Sequence, residues 1–284
     1  MTQPNLWMPN AGMSLDHEYP EITQQELLSS WQAYMQHPDA SVQPTVGVLG
    51  ALAMPENMPH TYLSVDVCEV LRGTHECLRT IEEAAGTPID EMHEYGNGLK
   101  SLSSYADIQS VAQVMMNAKL VKPAENIHLI SSIMQQLRRS GAYIFANTST
   151  LPGCEQATVD FFADFLPGCF DGIVFPRNFS GQEDGMNKGK AAATVMRQCL
   201  ESAVIEQDIE AAEYKITAVH IDDRTPHHET FLKEVGTVAD AVMLLQPEYP
   251  SQYATHEAAI GCDTPLDSFL MARYALRSRL GIDA

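Results

Sequence analysis

Apolar residues along this chain gather in short runs separated by stretches with helical spacing. Runs at 61–66, 142–147, 172–176, 216–222 and 239–245 have the length and β-branched or aromatic content of buried strands. Between them, apolar positions recurring every three to four residues predict helices near 125–140, 154–166, 187–203 and 226–235. Thr225-Pro226 opens the last of these and Gly236 stops it. Strands alternating with helices predict an α/β fold: a Rossmann-like parallel sheet with helices on both faces.

The long stretch 72–122 breaks that alternation, with helical patterns around Glu76 to Ala85 and Ile108 to Ala118. It is too long for a simple crossover and too periodic for a loop, so it predicts a helical cap inserted after the first core strand. The expected organisation is an N-terminal extension at 1–60, a core at 61–71 and 123–250, the cap at 72–122 and a helical tail at 251–284. Within the extension, Thr23-Gln24-Gln25-Glu26 has capping-box spacing ahead of Leu27, Leu28, Trp31, Tyr34 and Met35 on one face. Val46 to Met54 is short for a membrane span and reads as a buried strand or loop. The tail carries Leu266, Phe269, Leu270, Tyr274 and Leu276 at helical spacing, which predicts a docking helix or a homodimer contact.

Composition narrows the function classes. With 17 Lys and Arg against 37 Asp and Glu the net charge is −20, which argues against a general nucleic-acid surface. Six cysteines without a CxxC pair give neither a zinc ribbon nor a disulfide framework and suit a reducing cytoplasm. The first residues show no basic segment leading into an apolar one, so no secretory signal is expected, and no run suggests a membrane partner.

The chemistry concentrates where apolar runs end in acids. Ile216 to Val219 leads into His220-Ile221-Asp222-Asp223, and Tyr62 to Val65 leads into Asp66. Open α/β sheets bind ligands at the carboxyl ends of their strands, and three carboxylates there suit a hard cation such as magnesium. His220, His227 and His228 match no closed zinc spacing and read as histidines behind the acids or on a helix face.

Taken together, these segments resemble the haloacid dehalogenase-like superfamily of hydrolases over about 62–245. The resemblance rests on Asp66-Val67-Cys68-Glu69-Val70-Leu71, on Tyr143 to Ser149 closing the next strand, on Lys190 within Lys188-Gly189-Lys190-Ala191, and on Asp222-Asp223. It implies a magnesium-dependent phosphatase acting on a small phosphorylated molecule. Asp66 would be the nucleophile, Lys190 its partner, and Asn147 and Thr148 the amide and hydroxyl for a phosphoryl oxygen. Asp66, Asp222, Asp223 and the backbone carbonyl of Cys68 would hold Mg2+. In the phosphatases of that superfamily a second Asp stands where this chain has Cys68, and Ser or Thr where it has Ala146; Glu69 replaces a common glycine. Loss of a general acid–base typically costs on the order of 10²–10⁴ in rate. A non-catalytic binding protein with the same pocket, and a dehalogenase- or phosphonatase-type hydrolase, are the alternative readings.

Overall fold

The computed structural model describes residues 44–47, 50–53, 59–73, 121–149, 155–176, 187–207, 214–248 and 254–282. Its strands are β1 (Pro44–Gly47), β2 (Gly50–Ala53), β3 (Thr61–Val65), β4 (Arg72–Gly73), β5 (Lys122–Pro123), β6 (Ala142–Asn147), β7 (Gly172–Val174), β8 (Thr217–Ile221), β9 (Ala241–Pro247) and β10 (Ala259–Cys262). Its helices are α1 (Ile127–Arg139), α2 (Glu155–Phe165), α3 (Lys188–Gln207), α4 (Thr225–Val235) and α5 (Pro265–Leu276).

Eight strands form one sheet in the order β1-β2-β7-β6-β3-β8-β9-β10. From β7 to β10 all neighbours are parallel, whereas β1 and β2 add an antiparallel edge beside β7. The parallel part is Rossmann-like: the chain builds outward from β3 through β6 and β7, then returns to β3's other side and continues through β8, β9 and β10. Ligands bind such sheets where the winding direction reverses, which here is the carboxyl edge between β3 and β8.

Strand periodicity divides the core into two layers. Leu63 and Val65 of β3, Ile144 of β6, and Val219 and Ile221 of β8 pack with Met134, Phe162 and Phe269 from α1, α2 and α5. The alternate positions Tyr62, Tyr143, Phe145 and Ala218 pack with Ala192, Val195 and Met196 of α3 and Phe231 of α4. Both faces are covered, so the central strands read as continuous apolar runs.

The predicted central strands and all four predicted helices are present, with ends differing by a few residues. Two regions depart from expectation. Residues 259–276, read as part of a tail, complete the core: β10 pairs with β9, and Phe269, Ala272 and Leu276 are buried beneath α5. The segment 44–53, read as one strand or loop in an extension, forms two strands of the sheet. Both were obscured because β2 and β10 are only four residues long and poor in β-branched side chains.

Arg72 and Gly73 pair with Pro123 and Lys122 in the antiparallel β4–β5 ladder. Of the helical cap expected at 72–122, residues 74–120 lie outside the described residues. Its predicted helices, and the predicted helix at 23–35, lie outside the described residues.

Candidate active site

The carboxyl ends of β3, β6 and β8 bring Asp66, Asn147-Thr148 and Asp222-Asp223 to one edge of the sheet. Asp66 extends the ladder by one step, its N–H donating to the Ile221 carbonyl at 2.9 Å. Its Oδ1 accepts from the Val67 N–H at 2.7 Å. The following turn is tight: the Leu71 and Arg72 N–H groups both donate to the Val67 carbonyl, and Glu69 sits at φ 62°. That left-handed conformation explains why glycine suits the position.

The lysine of the site is Lys188, not Lys190. Lys188 Nζ lies 2.6 Å from Asp66 Oδ2 and 2.7 Å from Asp222 Oδ2, with only 2% of its side chain exposed. Lys190 is exposed. Two residues along a helix turn a side chain by about 200°, so only one of the pair can face the sheet edge. The start of α3 is set by Asn187, whose Oδ1 accepts from the Lys190 N–H at 2.8 Å. Gly189 then lets α3 close on α4, since a β-carbon there would run into the Thr230 carbonyl.

Burial acts against the charge on Lys188, but Asp222 and Asp66 outweigh it and hold the ammonium's pKa above its usual value. Burial would likewise raise Asp222, yet His227 and Lys188 outweigh it and keep that carboxyl well below the usual carboxylate range. Its oxygens are heavily used. Oδ1 accepts from the Arg224 N–H at 2.9 Å, His227 Nδ1 lies 2.9 and 3.0 Å from the two oxygens, and Lys188 takes Oδ2. Burial holds the His227 imidazole below its usual pKa against the opposing pull of Asp222.

Asp223 behaves in the opposite way. Burial, then the charges of Asp222 and Asp66, push its carboxyl well above the usual range. Three acids meet one buried ammonium, and Asp223 is the acid whose ionisation the surroundings oppose. An added divalent cation would relieve that opposition, and the oxygen donors fit magnesium's preference. Asp66, Asp222 and His227 offer ligand atoms within 4.8 Å of one another. Asp66 and Asp222 each also meet Lys188 Nζ, and Asp222 meets His227. Asp222, expected as a ligand, is thus one of the residues the geometry brings together for a cation.

The remaining expected residues divide. Thr148 is buried at the end of β6, its N–H donating to the Val174 carbonyl at 3.1 Å. Asn147 is not available to a ligand through its amide hydrogens: Nδ2 donates to Ser64 Oγ at 3.2 Å and to the Lys188 carbonyl at 2.9 Å. Ala146 faces the opposite layer, among the core residues of α1 and α2. The Cys68 thiol is half-buried and accepts from Arg72 Nη2 at 3.7 Å. Burial pushes its pKa up, with Arg72 opposing and Asp66 reinforcing, so at neutral pH it is a protonated thiol.

Two residues hold the acid pair from behind: His228, one of the histidines expected there or on a helix face, and Gln246, which sequence reasoning missed. His228 Nε2 donates to the Asp222 carbonyl at 2.9 Å and Gln246 Nε2 to the Asp223 carbonyl at 3.1 Å. Gln246 carried a signal, being a polar residue inside the apolar run of β9. No helix among the described residues is long and apolar enough to cross a membrane.

No family model matches the sequence, and none of the curated proteins compared with it does. Among solved structures, the chain is similar to CbbY from Rhodobacter sphaeroides in complex with phosphate, at 16% identity and a TM-score of 0.44, covering 74% of this chain and 96% of that one. It is similar to a haloacid dehalogenase-like family hydrolase from Xanthomonas campestris, at 13% identity and 0.41, covering 81% and 97%. A third is a HAD family hydrolase from Deinococcus radiodurans with bound phosphate and sodium, at 14% and 0.44, covering 80% and 98%.

Proposed function

We propose that this chain is a haloacid dehalogenase-like hydrolase that transfers the phosphoryl group of a small phosphorylated molecule to Asp66 and then to water, with proton transfer as its weak step. The observation that carries this reading is the buried Lys188 ammonium, held between Asp66 and Asp222 at the switch point of the sheet. A positive charge fixed beside a carboxylate gives an incoming phosphoryl group both a nucleophile and a counter-charge without reorganisation. A magnesium ion held by Asp66, Asp223 and the Cys68 carbonyl would supply further neutralising charge to the phosphoryl oxygens.

In the first step an Asp66 oxygen attacks phosphorus as the bond to the leaving oxygen breaks, and that oxygen must gain a proton. In the second, water attacks the aspartyl-phosphate, loses a proton and frees Asp66. The Thr148 hydroxyl beside Asn147 is the candidate donor to a phosphoryl oxygen. Both steps need a group that moves a proton, and Cys68, a thiol whose pKa is raised by burial, is a poor one.

The reading makes a double expectation. Wild type hydrolyses 2,4-dinitrophenyl phosphate, whose leaving group departs without a proton, far better than an alkyl phosphate. Cys68→Asp raises alkyl phosphate turnover by about 10²–10⁴. Phosphate release in magnesium buffer checks both, with Asp66→Asn as control. Turnover surviving Asp66→Asn would sink the aspartyl-phosphate mechanism.

A further inference from the structure

Beneath the acids, on the face of the sheet covered by α3 and α4, three neighbouring central strands each bury a polar side chain. Ser64 of β3, Asn147 of β6 and His220 of β8 are all 0% exposed. Ser64 and His220 are register partners, and Asn147 lies two residues beyond Phe145, the partner of Ser64 on the other side. Interior strands of a parallel sheet are normally apolar, and a buried polar group is costly unless its hydrogen bonds are met.

The contacts form a chain of hydrogen bonds that nearly closes on itself, with one long approach between His220 and Asp222. Asn147 Nδ2 reaches the Lys188 carbonyl at 2.9 Å and Ser64 Oγ at 3.2 Å; Ser64 Oγ meets His220 Nδ1 at 3.1 Å. His220 Nε2 faces Asp222 Oδ2 at 3.5 Å, and Asp222 Oδ2 returns to Lys188 Nζ at 2.7 Å. The Lys188 carbonyl can only accept, which orients the Asn147 amide with its N–H groups toward Lys188 and Ser64. Ser64 accepts from Asn147, which leaves its single hydroxyl proton available to His220 Nδ1. With Nδ1 accepting, the ring proton sits on Nε2 and points at Asp222. Phe231 fixes the imidazole plane by stacking at 4.1 Å and 3°.

A network built only to satisfy itself would leave nothing over. This one leaves Asn147 Oδ1 without a partner, and His220 Nε2 is too far from Asp222 for a good hydrogen bond. Its product is direction: one Asn147 N–H is anchored on the Lys188 carbonyl, and the other begins a path through Ser64 and His220 toward the Asp222 carboxylate. We infer that Ser64, Asn147 and His220 are positioning residues, a directed relay that orients Asp222 against Lys188 and so holds the ammonium on Asp66. This rests on the hydrolase reading for its kinetic consequence and on hydrogen-bond chemistry alone for the tautomer.

Two measurements test it. Nitrogen-15 NMR of histidine-labelled full-length protein, with His220 assigned by difference against His220→Gln, is expected to show a protonated Nε2 and an accepting Nδ1. Ser64→Ala is expected to abolish that fixed tautomer. In steady-state assays with 2,4-dinitrophenyl phosphate, Ser64→Ala and His220→Leu lower kcat by roughly ten- to a hundred-fold with KM little changed. His220→Gln, whose amide can place an N–H near the position of Nε2, recovers most of kcat. An Nδ1-protonated His220 in wild type, or Ser64→Ala with unaltered kcat in a turning-over enzyme, overturns the relay. Failure of His220→Gln to outperform His220→Leu also overturns it, reducing His220 to packing. Absence of turnover in wild type sinks the hydrolase reading instead, while the tautomer still decides the relay.

Discussion

Lys188 and Lys190 flank one glycine, and nothing in their immediate sequence separates them; burial does. Replacing Lys188 by Met leaves Asp66 and Asp222 facing each other without their shared cation. The expected result is a loss of at least about 10³ in kcat, comparable to removing a main electrostatic donor, together with a lower melting temperature. Lys190→Ala is expected to change kcat less than two- to three-fold, as an exposed substitution away from any contact with the acids. Parallel steady-state assays of the two variants distinguish the assignments. The same charge balance sets a pH response. Lys188 has a folded pKa above its unfolded one, so its contribution is complete below about pH 10.5 and fades as pH rises through the folded value. Asp222, depressed, contributes above its unfolded value near 3.8 and loses that contribution in acid. Asp223 has the opposite sign for a carboxylate: its raised pKa makes ionisation a cost to the fold once pH passes the unfolded value. In EDTA at pH 7.5, Asp223→Asn should therefore melt higher than wild type. Added magnesium should raise the wild-type melting temperature and leave the variant unmoved; a variant that melts lower in EDTA and still responds to magnesium would remove Asp223 from the cation site.

At the scale of elements, the site depends on how closely α3 approaches α4. Gly189 sits where any β-carbon would strike the Thr230 carbonyl, and Thr230 cannot yield as a flexible side-chain tip could. Gly189→Ala should therefore separate the two helices despite alanine's better helix propensity, with a net cost of about 1–3 kcal/mol. It should also carry Lys188 away from the acids. Chemical denaturation reads the first effect and kcat the second; an alanine variant more stable than wild type would refute the close approach. The β4–β5 ladder has a different role, joining Arg72-Gly73 to Lys122-Pro123. The break in the strand–helix alternation between these two strands was legible in the sequence. The ladder itself was not, since two-residue strands carry no periodicity.

At the scale of the molecule, β10 and α5 close one side of the fold. Phe269 and Leu276 are almost wholly buried, and Thr264 and Asp267 form a capping box at the start of α5. Burying each large apolar side chain is worth about 1.5–3 kcal/mol, so removing this helix takes away an amount comparable to a domain's whole stability of roughly 5–15 kcal/mol. A chain ended after Pro250 is expected to be insoluble or to lack a cooperative thermal transition. A soluble, cooperatively melting truncation would return 251–284 to the role of an appended tail. The net charge of −20 adds a constraint at the same scale, since the phosphorylated substrate proposed above would have to be drawn in by local features such as Lys188.

The alternation of apolar runs with helical periods determined the α/β class, the central strands and the two-layer core, because period and run length are local properties that burial on two faces imposes directly. The acids at strand ends determined that Asp66 and Asp222 would meet at one edge of the sheet, since a carboxylate directly after a buried strand has only that edge to occupy. Tertiary structure alone decided which lysine lies between the acids, that Asp222 meets Lys188 and His227 while the surroundings oppose ionisation of Asp223, and that Ser64, Asn147 and His220 lie together beneath them. Each of these depends on rotation about a helix or on register between strands far apart in sequence. Such relations are set by the packing of α3 and α4 against the sheet, and no window of the sequence contains them.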